Sequence, residues 1–284
     1  MDEELSPGIH ELSAADSEGE QRDYLLFVPS GRVRGLVVIF HPFGSNPELV
    51  MRGGTDGGYL IRPLTGAAAS AEPLGLAVLA PRSRGRHLDG ISLAWRNHLD
   101  AVWEFSEAIR TRLGLRYVGA GGLSMGGLEA LVFAGRHPDG VRAVWAANPI
   151  VDLAQWWRDL SPDEELDGGD GLAAQIAREV GGTPDDVPGE YLARSPFDCV
   201  DGLARVPTRL VWSPADAVIP YQETVHAHQL AARLGERGGE VRELAVTHLP
   251  LDASLDAGRF AHEACDVREA MGWLAETLFA TGTV

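Results

Sequence analysis

Short apolar runs alternate with longer segments of helical periodicity along most of this chain. The runs at 35–40 and 76–80 are continuously apolar, as expected of strands buried on both faces of a sheet. Between such runs, apolar residues recur at three- and four-residue spacing, which is typical of amphipathic helices. The predicted strands are 9–12, 24–28, 35–40, 76–80, 117–121, 141–147, 207–212 and 240–246, and the predicted helices are 60–71, 95–113, 128–137, 221–234 and 267–279.

This alternation predicts an α/β fold whose central sheet is mostly parallel and carries helices on both faces. The first two strands fit an antiparallel pair at one edge of the sheet. The rhythm breaks at 148–203, which contains Trp156, Trp157, an acidic run and many glycines. We therefore expect a single domain over residues 1–284, with 148–203 forming a small cap insertion.

Composition narrows the classes of partner. The apolar fraction of 45% is ample for a full core, and the net charge of −17 disfavours nucleic acid and anionic membrane surfaces. All 24 basic residues are arginine, which excludes any mechanism that needs a lysine and suggests a GC-rich bacterial genome. A homo-oligomer is compatible with these totals.

The N-terminus is acidic and shows no secretory signal, and no apolar run approaches the ~20 residues of a membrane span. We expect a cytoplasmic protein. Cys199 and Cys265 lie far apart and are interpreted as isolated thiols. No metal and no cofactor is expected.

The sequence from Gly122 to Gly126 fits the pattern Gly-x-Ser-x-Gly between a predicted strand and a predicted helix. This is the sequence form of a nucleophile elbow, in which Ser124 occupies a sharp, strained turn. Side chains at the two glycines would collide with neighbouring backbone. The Met125 amide would lie at a helix N-terminus, where it can stabilise developing negative charge.

A serine nucleophile needs a base, and a histidine usually serves. His248 directly follows the last predicted strand, at the sheet edge where ligands bind in open α/β folds. His41 ends the third strand but precedes the serine in the chain. The other histidines lie at the N-terminal edge, in a polar loop, at a helix end or in predicted helices: 10, 87, 137, 98, 226, 228 and 262. His248 is therefore the predicted base.

The base needs a carboxylate to orient it. Asp216 follows the strand 207–212 and precedes His248 in the chain, so we favour it as the acid. Asp152, just after the preceding strand, is the alternative. Either could instead be a turn or helix-capping aspartate.

The order Ser124, Asp216, His248 resembles the α/β-hydrolase fold, and its details resemble the esterase, depolymerase and prolyl-oligopeptidase-like branches. In those branches the third strand often ends in His-Gly, where this chain has His41 and Pro42. The segment 212–220 resembles the acid-bearing loop of the family, and 191–197 resembles the return from its cap.

The resemblance implies a serine hydrolase that cleaves a carboxylic ester of a small intracellular substrate through an acyl-enzyme. Because Pro42 has no N–H, the second oxyanion donor would be the Phe43 amide, with Gly44 as the alternative. His41, Trp156 and Trp157 are candidates for lining the substrate pocket, although the tryptophans could equally pack the cap onto the body.

Other readings stay open. The same residues could cleave an amide, a peptide or a thioester, or transfer the acyl group to an acceptor other than water. A non-catalytic binding protein on the hydrolase fold is the alternative from a different class.

Overall fold

Eight strands form one sheet in the computed structural model, which describes residues 5–53, 66–160, 171–247, 261–263 and 265–280. Their order across the sheet is β1-β2-β4-β3-β5-β6-β7-β8. The first two strands and β4 pair antiparallel, and all other pairs are parallel. The strands are β1 Gly8–Ala15, β2 Gln21–Val28, β3 Gly35–Phe40, β4 Leu76–Pro81, β5 Val118–Leu123, β6 Val141–Ala147, β7 Thr208–Trp212 and β8 Val241–Ala245.

The described helices follow the strands in the alternation that the sequence predicted. They are α1 Pro47–Arg52, α2 Ala67–Ala71, α3 Arg96–Arg112, α4 Met125–Arg136, α5 Leu153–Asp159, α6 Leu172–Val180, α7 Pro188–Ala193, α8 Val200–Leu203, α9 Ala227–Glu236 and α10 Val267–Phe279. A 3-10 turn, Glu72–Leu74, joins α2 to β4. No helix within these ranges is long and apolar enough to cross a bilayer.

Two apolar layers sandwich the sheet because successive side chains of a strand point to opposite faces. On β3, Val37 and Ile39 belong to the apolar layer that also includes α1, α2 and α10, whereas Leu36, Val38 and Phe40 belong to the layer that includes α3, α4 and α9. All five of these β3 side chains are fully buried. The predicted α/β architecture with helices on both faces is confirmed.

The described part of the segment 148–203 contributes four helices, α5 to α8. A buried ion pair ties this segment to the loop after β4. The Glu179 carboxylate accepts the amide N–H groups of Arg86, His87 and Leu88 at 2.6, 2.8 and 3.2 Å. Arg194 contacts Glu179 at 3.4 Å, and both side chains are almost completely buried. We call these contacts the Glu179 clamp.

One helix begins later than predicted. The sequence pattern predicted a helix from residue 221, but α9 begins at Ala227. Tyr221 has φ 64°, in the left-handed region, and its carbonyl accepts the amides of Thr224, Val225 and His226 in a tight turn. Residues 221–226 therefore form a turn, and His226, whose φ of −106° and ψ of −104° are not helical, directly precedes the first residue of α9.

Candidate functional site

Ser124 lies between β5 and α4 in a strained backbone conformation. Its φ of 60° and ψ of −121° fall in a region that non-glycine residues rarely occupy. The residue is 6% exposed. Such strain persists only where surrounding structure imposes it, and it lifts the side chain out at the junction of strand and helix.

The two flanking glycines are required by close backbone approach. A Cβ at Gly122 would lie 2.2 Å from the carbonyl of Gly126, and a Cβ at Gly126 would lie 2.2 Å from the carbonyl oxygen of Phe40. Both distances are far below van der Waals contact. Any larger residue at these two positions would therefore collide with neighbouring backbone, as the sequence predicted.

Asp216 follows β7 and binds a histidine. Its Oδ2 lies 2.9 Å from Nδ1 of His262, and its Oδ1 accepts the amides of Val218 and Ile219 at 2.9 and 3.0 Å. Asp216 is 5% exposed and His262 is 9% exposed. The carboxylate is thus fixed by its own loop on one side and orients an imidazole on the other.

The predicted base, His248, lies outside the described residues. The histidine found on Asp216 is His262, in a helical turn shortly before α10, which sequence analysis had grouped with ordinary helical histidines. The connection between β8 and α10 carries both histidines. Only the contact with Asp216 distinguishes His262.

Asp152, the alternative acid, has a different task. It is the N-cap of α5, and its Oδ1 accepts the Gln155 amide at 2.9 Å. The amides of Val151 and Asp152 itself donate to Nδ1 of His226, each at 3.2 Å. Burial lowers the pKa of His226 to about 4, against the opposing effect of the Asp152 and Asp216 charges. This second histidine is therefore neutral at physiological pH.

The serine and the Asp216–His262 pair are both hydrogen-bonded to residues at the end of β6. The Ser124 amide donates to the carbonyl of Ala147 at 2.9 Å. The next residue, Asn148, is bound through its side chain to the main chain of His262. The three predicted kinds of residue, a serine, an aspartate and a histidine, thus converge on the carboxyl ends of β5, β6 and β7.

The predicted oxyanion donors occupy the turn after β3 and the start of α4. Met125 is the first residue of α4, whose N-terminal N–H groups point toward the serine junction. Phe43 and Gly44 form a turn that is closed by a 3.1 Å bond from the Ser45 amide to the Pro42 carbonyl, with Gly44 at φ 73°. Phe43 is partly buried.

His41 supports this turn from below. The imidazole is 1% exposed, and its Nδ1 donates to the Pro42 carbonyl at 2.9 Å while its Nε2 accepts the Ser83 amide at 3.0 Å. Burial lowers the pKa of His41 to about 4, so the ring is neutral. An imidazole so enclosed offers little surface to a substrate, although sequence analysis had named it for the pocket.

A buried glutamate lies behind His41. Glu129, on α4, is fully buried, and it accepts hydrogen bonds from the hydroxyls of Ser83, at 3.0 Å, and Ser92. Burial raises the pKa of Glu129 to about 8. The side chain is therefore largely protonated at neutral pH, and sequence analysis had not singled it out.

Both tryptophans named for the pocket make structural hydrogen bonds. The indole of Trp156 is 5% exposed and donates to the Val218 carbonyl at 3.0 Å, in the loop that carries Asp216. The indole of Trp157 is partly buried and donates to the Ala173 carbonyl at 2.7 Å. Trp156 thus ties the segment 148–203 to the acid-bearing loop, and Trp157 ties α5 to α6.

Within the described ranges, no group of three or more histidine, cysteine, aspartate or glutamate side chains is arranged to hold a metal ion. The groups at the site are a strained serine, a carboxylate-bound imidazole and two candidate amide donors.

Comparison with known proteins gives matches at the level of structure. No family model and no curated protein sequence matches this chain. It is similar to an S-formylglutathione hydrolase from Agrobacterium tumefaciens, with a TM-score of 0.63, 17% identity and 95% of each chain covered.

Two other similar structures are a carboxyl esterase from Bacillus coagulans and an acylaminoacyl peptidase from Pyrococcus horikoshii. The esterase has a TM-score of 0.61 and 14% identity over 96% of this chain and 100% of that one. The peptidase has a TM-score of 0.63 and 16% identity over 99% of this chain but only 44% of that one. This chain has the α/β-hydrolase fold.

Proposed function

We propose that this protein is a serine hydrolase that cleaves a carboxylic ester of a small substrate through an acyl-enzyme. The observation that carries the proposal is the 2.9 Å hydrogen bond between Asp216 and His262, whose main chain is linked through the end of β6 to the strained Ser124. A serine hydroxyl is a poor nucleophile until a base removes its proton, and an imidazole held by a buried carboxylate is suited to that task.

In the proposed reaction, Ser124 Oγ attacks the ester carbonyl while His262 Nε2 accepts the hydroxyl proton. Nε2 is the free ring nitrogen because Nδ1 is engaged by Asp216. The same nitrogen then gives the proton to the leaving alcohol as the ester C–O bond breaks, which leaves the acyl group on Ser124. Water next attacks the acyl-enzyme while His262 accepts its proton, and His262 returns that proton to Ser124 Oγ as the carboxylic acid is released. Asp216 keeps the imidazole in the correct tautomer and stabilises its charged form.

The Met125 and Phe43 amides are the proposed oxyanion donors. A tetrahedral intermediate bound near Ser124 would place its oxygen between the N-terminus of α4 and the turn at residues 42–45. The turn that carries the Phe43 amide is held by the His41 ring, which bonds to the Pro42 carbonyl and is itself fixed by the Ser83 amide. This support favours the assignment of Phe43. Donors fixed in advance stabilise the charge without reorganisation during the reaction.

The assignment of the base to His262 replaces the one made from sequence. A fluorophosphonate probe that labels an activated serine tests it directly. Ser124→Ala should abolish labelling and lower kcat by up to about 10⁶, as for loss of the nucleophile in a serine protease. His262→Ala should do nearly the same.

His248→Ala is the matched control and should leave labelling at the wild-type rate. Loss of labelling in His248→Ala but not in His262→Ala would return the base to His248. Wild-type protein that shows neither labelling nor turnover would instead favour a non-catalytic binding protein.

The substrate screen should cover the chemistry of the similar structures. These include an S-formylglutathione hydrolase, a carboxyl esterase and an acylaminoacyl peptidase. We therefore suggest p-nitrophenyl esters of increasing acyl length, matched acyl thioesters and acyl anilides. Preferential turnover of short-chain esters is the expected result, and preference for anilides would overturn the proposed ester specificity.

A further inference from the structure

We propose that Asn148 is a positioning residue that holds the main chain of His262 and the loop of Asp216 in register with Ser124. The inference rests on the proposed function, because it concerns the three residues that would carry the reaction. It arises from the hydrogen bonds of a single buried side chain.

Asn148 is the first residue after β6 and is completely buried. Its backbone N–H donates to the carbonyl of Val211 on β7 at 2.8 Å. On the opposite side, the preceding carbonyl, that of Ala147, accepts the Ser124 amide at 2.9 Å. The residue is therefore fixed between the strand that ends at the serine and the strand that leads to Asp216.

The side-chain amide uses both of its ends. Its oxygen accepts the Ser213 amide at 2.9 Å, at the start of the loop that carries Asp216. Its nitrogen donates to the carbonyls of Ala261 at 3.0 Å and His262 at 2.7 Å. These partners fix the orientation of the amide, since an N–H group needs an acceptor and two carbonyls need donors.

The geometry explains why this position suits asparagine. Asp216 holds the ring of His262, and Asn148 holds its backbone, so the imidazole is constrained at both ends. An aspartate at 148 could accept from Ser213 but could not donate to the two carbonyls, and a leucine could do neither. Asparagine also tolerates the residue's φ of 36° better than most side chains.

Loss of this amide should displace the imidazole while the ring contact with Asp216 remains available. A misplacement of about 1 Å can cost about 10²-fold in rate. We expect Asn148→Ala to lower kcat on p-nitrophenyl acetate by about that factor with KM nearly unchanged, because the substrate contacts are not altered.

Asn148→Gly separates the side chain from the backbone. Glycine relaxes the positive φ but also lacks the amide, so it should show the same loss of kcat with better folding. Asn148→Asp is nearly isosteric and keeps the acceptor for Ser213. Its carboxylate would be buried against the carbonyls of Ala261 and His262, so folding is verified first by circular dichroism, and the folded variant should lose kcat at least as severely as Asn148→Ala.

A spectroscopic measurement tests the positioning role without relying on turnover. In protein labelled with ¹⁵N-histidine, the Nδ1–H of His262 should give a downfield, slowly exchanging proton signal, which is assigned by its absence in His262→Ala. The signal should broaden or shift in Asn148→Gly and Asn148→Asp if Asn148 orders His262.

The outcomes separate this inference from the proposed function. If Ser124→Ala abolishes turnover while folded Asn148→Gly and Asn148→Asp retain both kcat and the Nδ1–H signal, the positioning role is refuted and the hydrolase stands. If Ser124→Ala retains turnover, the proposed mechanism fails, yet the Nδ1–H signal still decides whether Asn148 holds His262.

Discussion

The buried carboxyl of Glu129 makes the stability of this protein depend on pH in a direction that can be worked out. The side chain is fully buried, and two serine hydroxyls are its described hydrogen-bond partners. Burial raises its pKa from the reference value of 4.5 to about 8, and the serine bonds oppose this only in part. The folded protein therefore keeps a proton that the unfolded chain releases.

The sign follows from proton linkage. Between about pH 4.5 and pH 8, the folded state binds one proton more than the unfolded state at this residue, so this contribution to stability falls as pH rises. Each pH unit in this window costs about 1.4 kcal/mol. Between pH 5.5 and pH 7.5, Glu129 should thus lower the free energy of unfolding by about 3 kcal/mol.

Glu129→Gln removes the titration while keeping the shape and a hydrogen-bonding group for each serine. Because glutamine is neutral in both states, the stability difference between variant and wild type should shift in favour of the variant by about 3 kcal/mol from pH 5.5 to pH 7.5. All other titrating groups are shared and cancel in this difference.

Urea unfolding followed by tryptophan fluorescence measures this quantity, and the fully buried Trp145 supplies a core signal. Glu11→Gln, on an exposed position of β1, is the matched control and should show no such trend. A difference between Glu129→Gln and wild type that stays constant within about 0.5 kcal/mol over the two pH units would refute the raised pKa, as it would leave no proton to account for.

Three further predictions concern the acid, the elbow and the Glu179 clamp. Asp216→Asn should lower kcat by about 10⁴-fold in a folded protein. Asp152→Asn should leave kcat near normal because asparagine also caps α5. If steady-state assays showed the larger loss of kcat in Asp152→Asn, the roles of the two aspartates would be exchanged. Gly126→Ala should lower the free energy of unfolding, measured in urea, by about 1–3 kcal/mol or more, because the new Cβ would collide with the Phe40 carbonyl. Gly189→Ala, which has open space around it, should leave the stability unchanged. Equal stabilities of the two variants would contradict the packing argument. Glu179→Ala should lower the free energy of unfolding by about 3–5 kcal/mol because it leaves Arg194 buried and unpaired. The control Glu240→Ala, in the exposed pair with Arg242, should lower it by at most about 1 kcal/mol. A small effect at Glu179 would show that water reaches the clamp.

The strands and the elbow could be predicted from sequence because their causes are local. The run 35–40 is continuously apolar, and 141–147 is apolar except for Arg142; they form β3 and β6 with the predicted bounds. Gly122 and Gly126 mark a turn that other residues cannot make. Each of these signals depends on neighbouring residues alone, so one sequence is enough to detect it.

The histidine partner could not be chosen in this way. His248 and His262 both lie between β8 and α10, so chain order suits either, and the position of His248 directly after the last predicted strand favoured it over a histidine in a predicted helix. The choice depends on a contact with Asp216, 46 residues away. The role of Asn148 could not be predicted from sequence for a related reason. Its side chain binds backbone groups, which are the same whatever the residue type and therefore give no sequence signal.

The Glu179 clamp has a consequence for how this protein can be recombined. An exchange of residues 148–203 for the corresponding segment of a related chain would use cut points after the end of β6 and before the start of β7. Here the exchange would strand the three amides of residues 86–88, which receive their acceptor from Glu179, and the Ser92 carbonyl, which accepts from Arg194. A functional chimaera would therefore need residues 85–92 to be exchanged together with residues 148–203, although 55 residues of sequence separate the two segments.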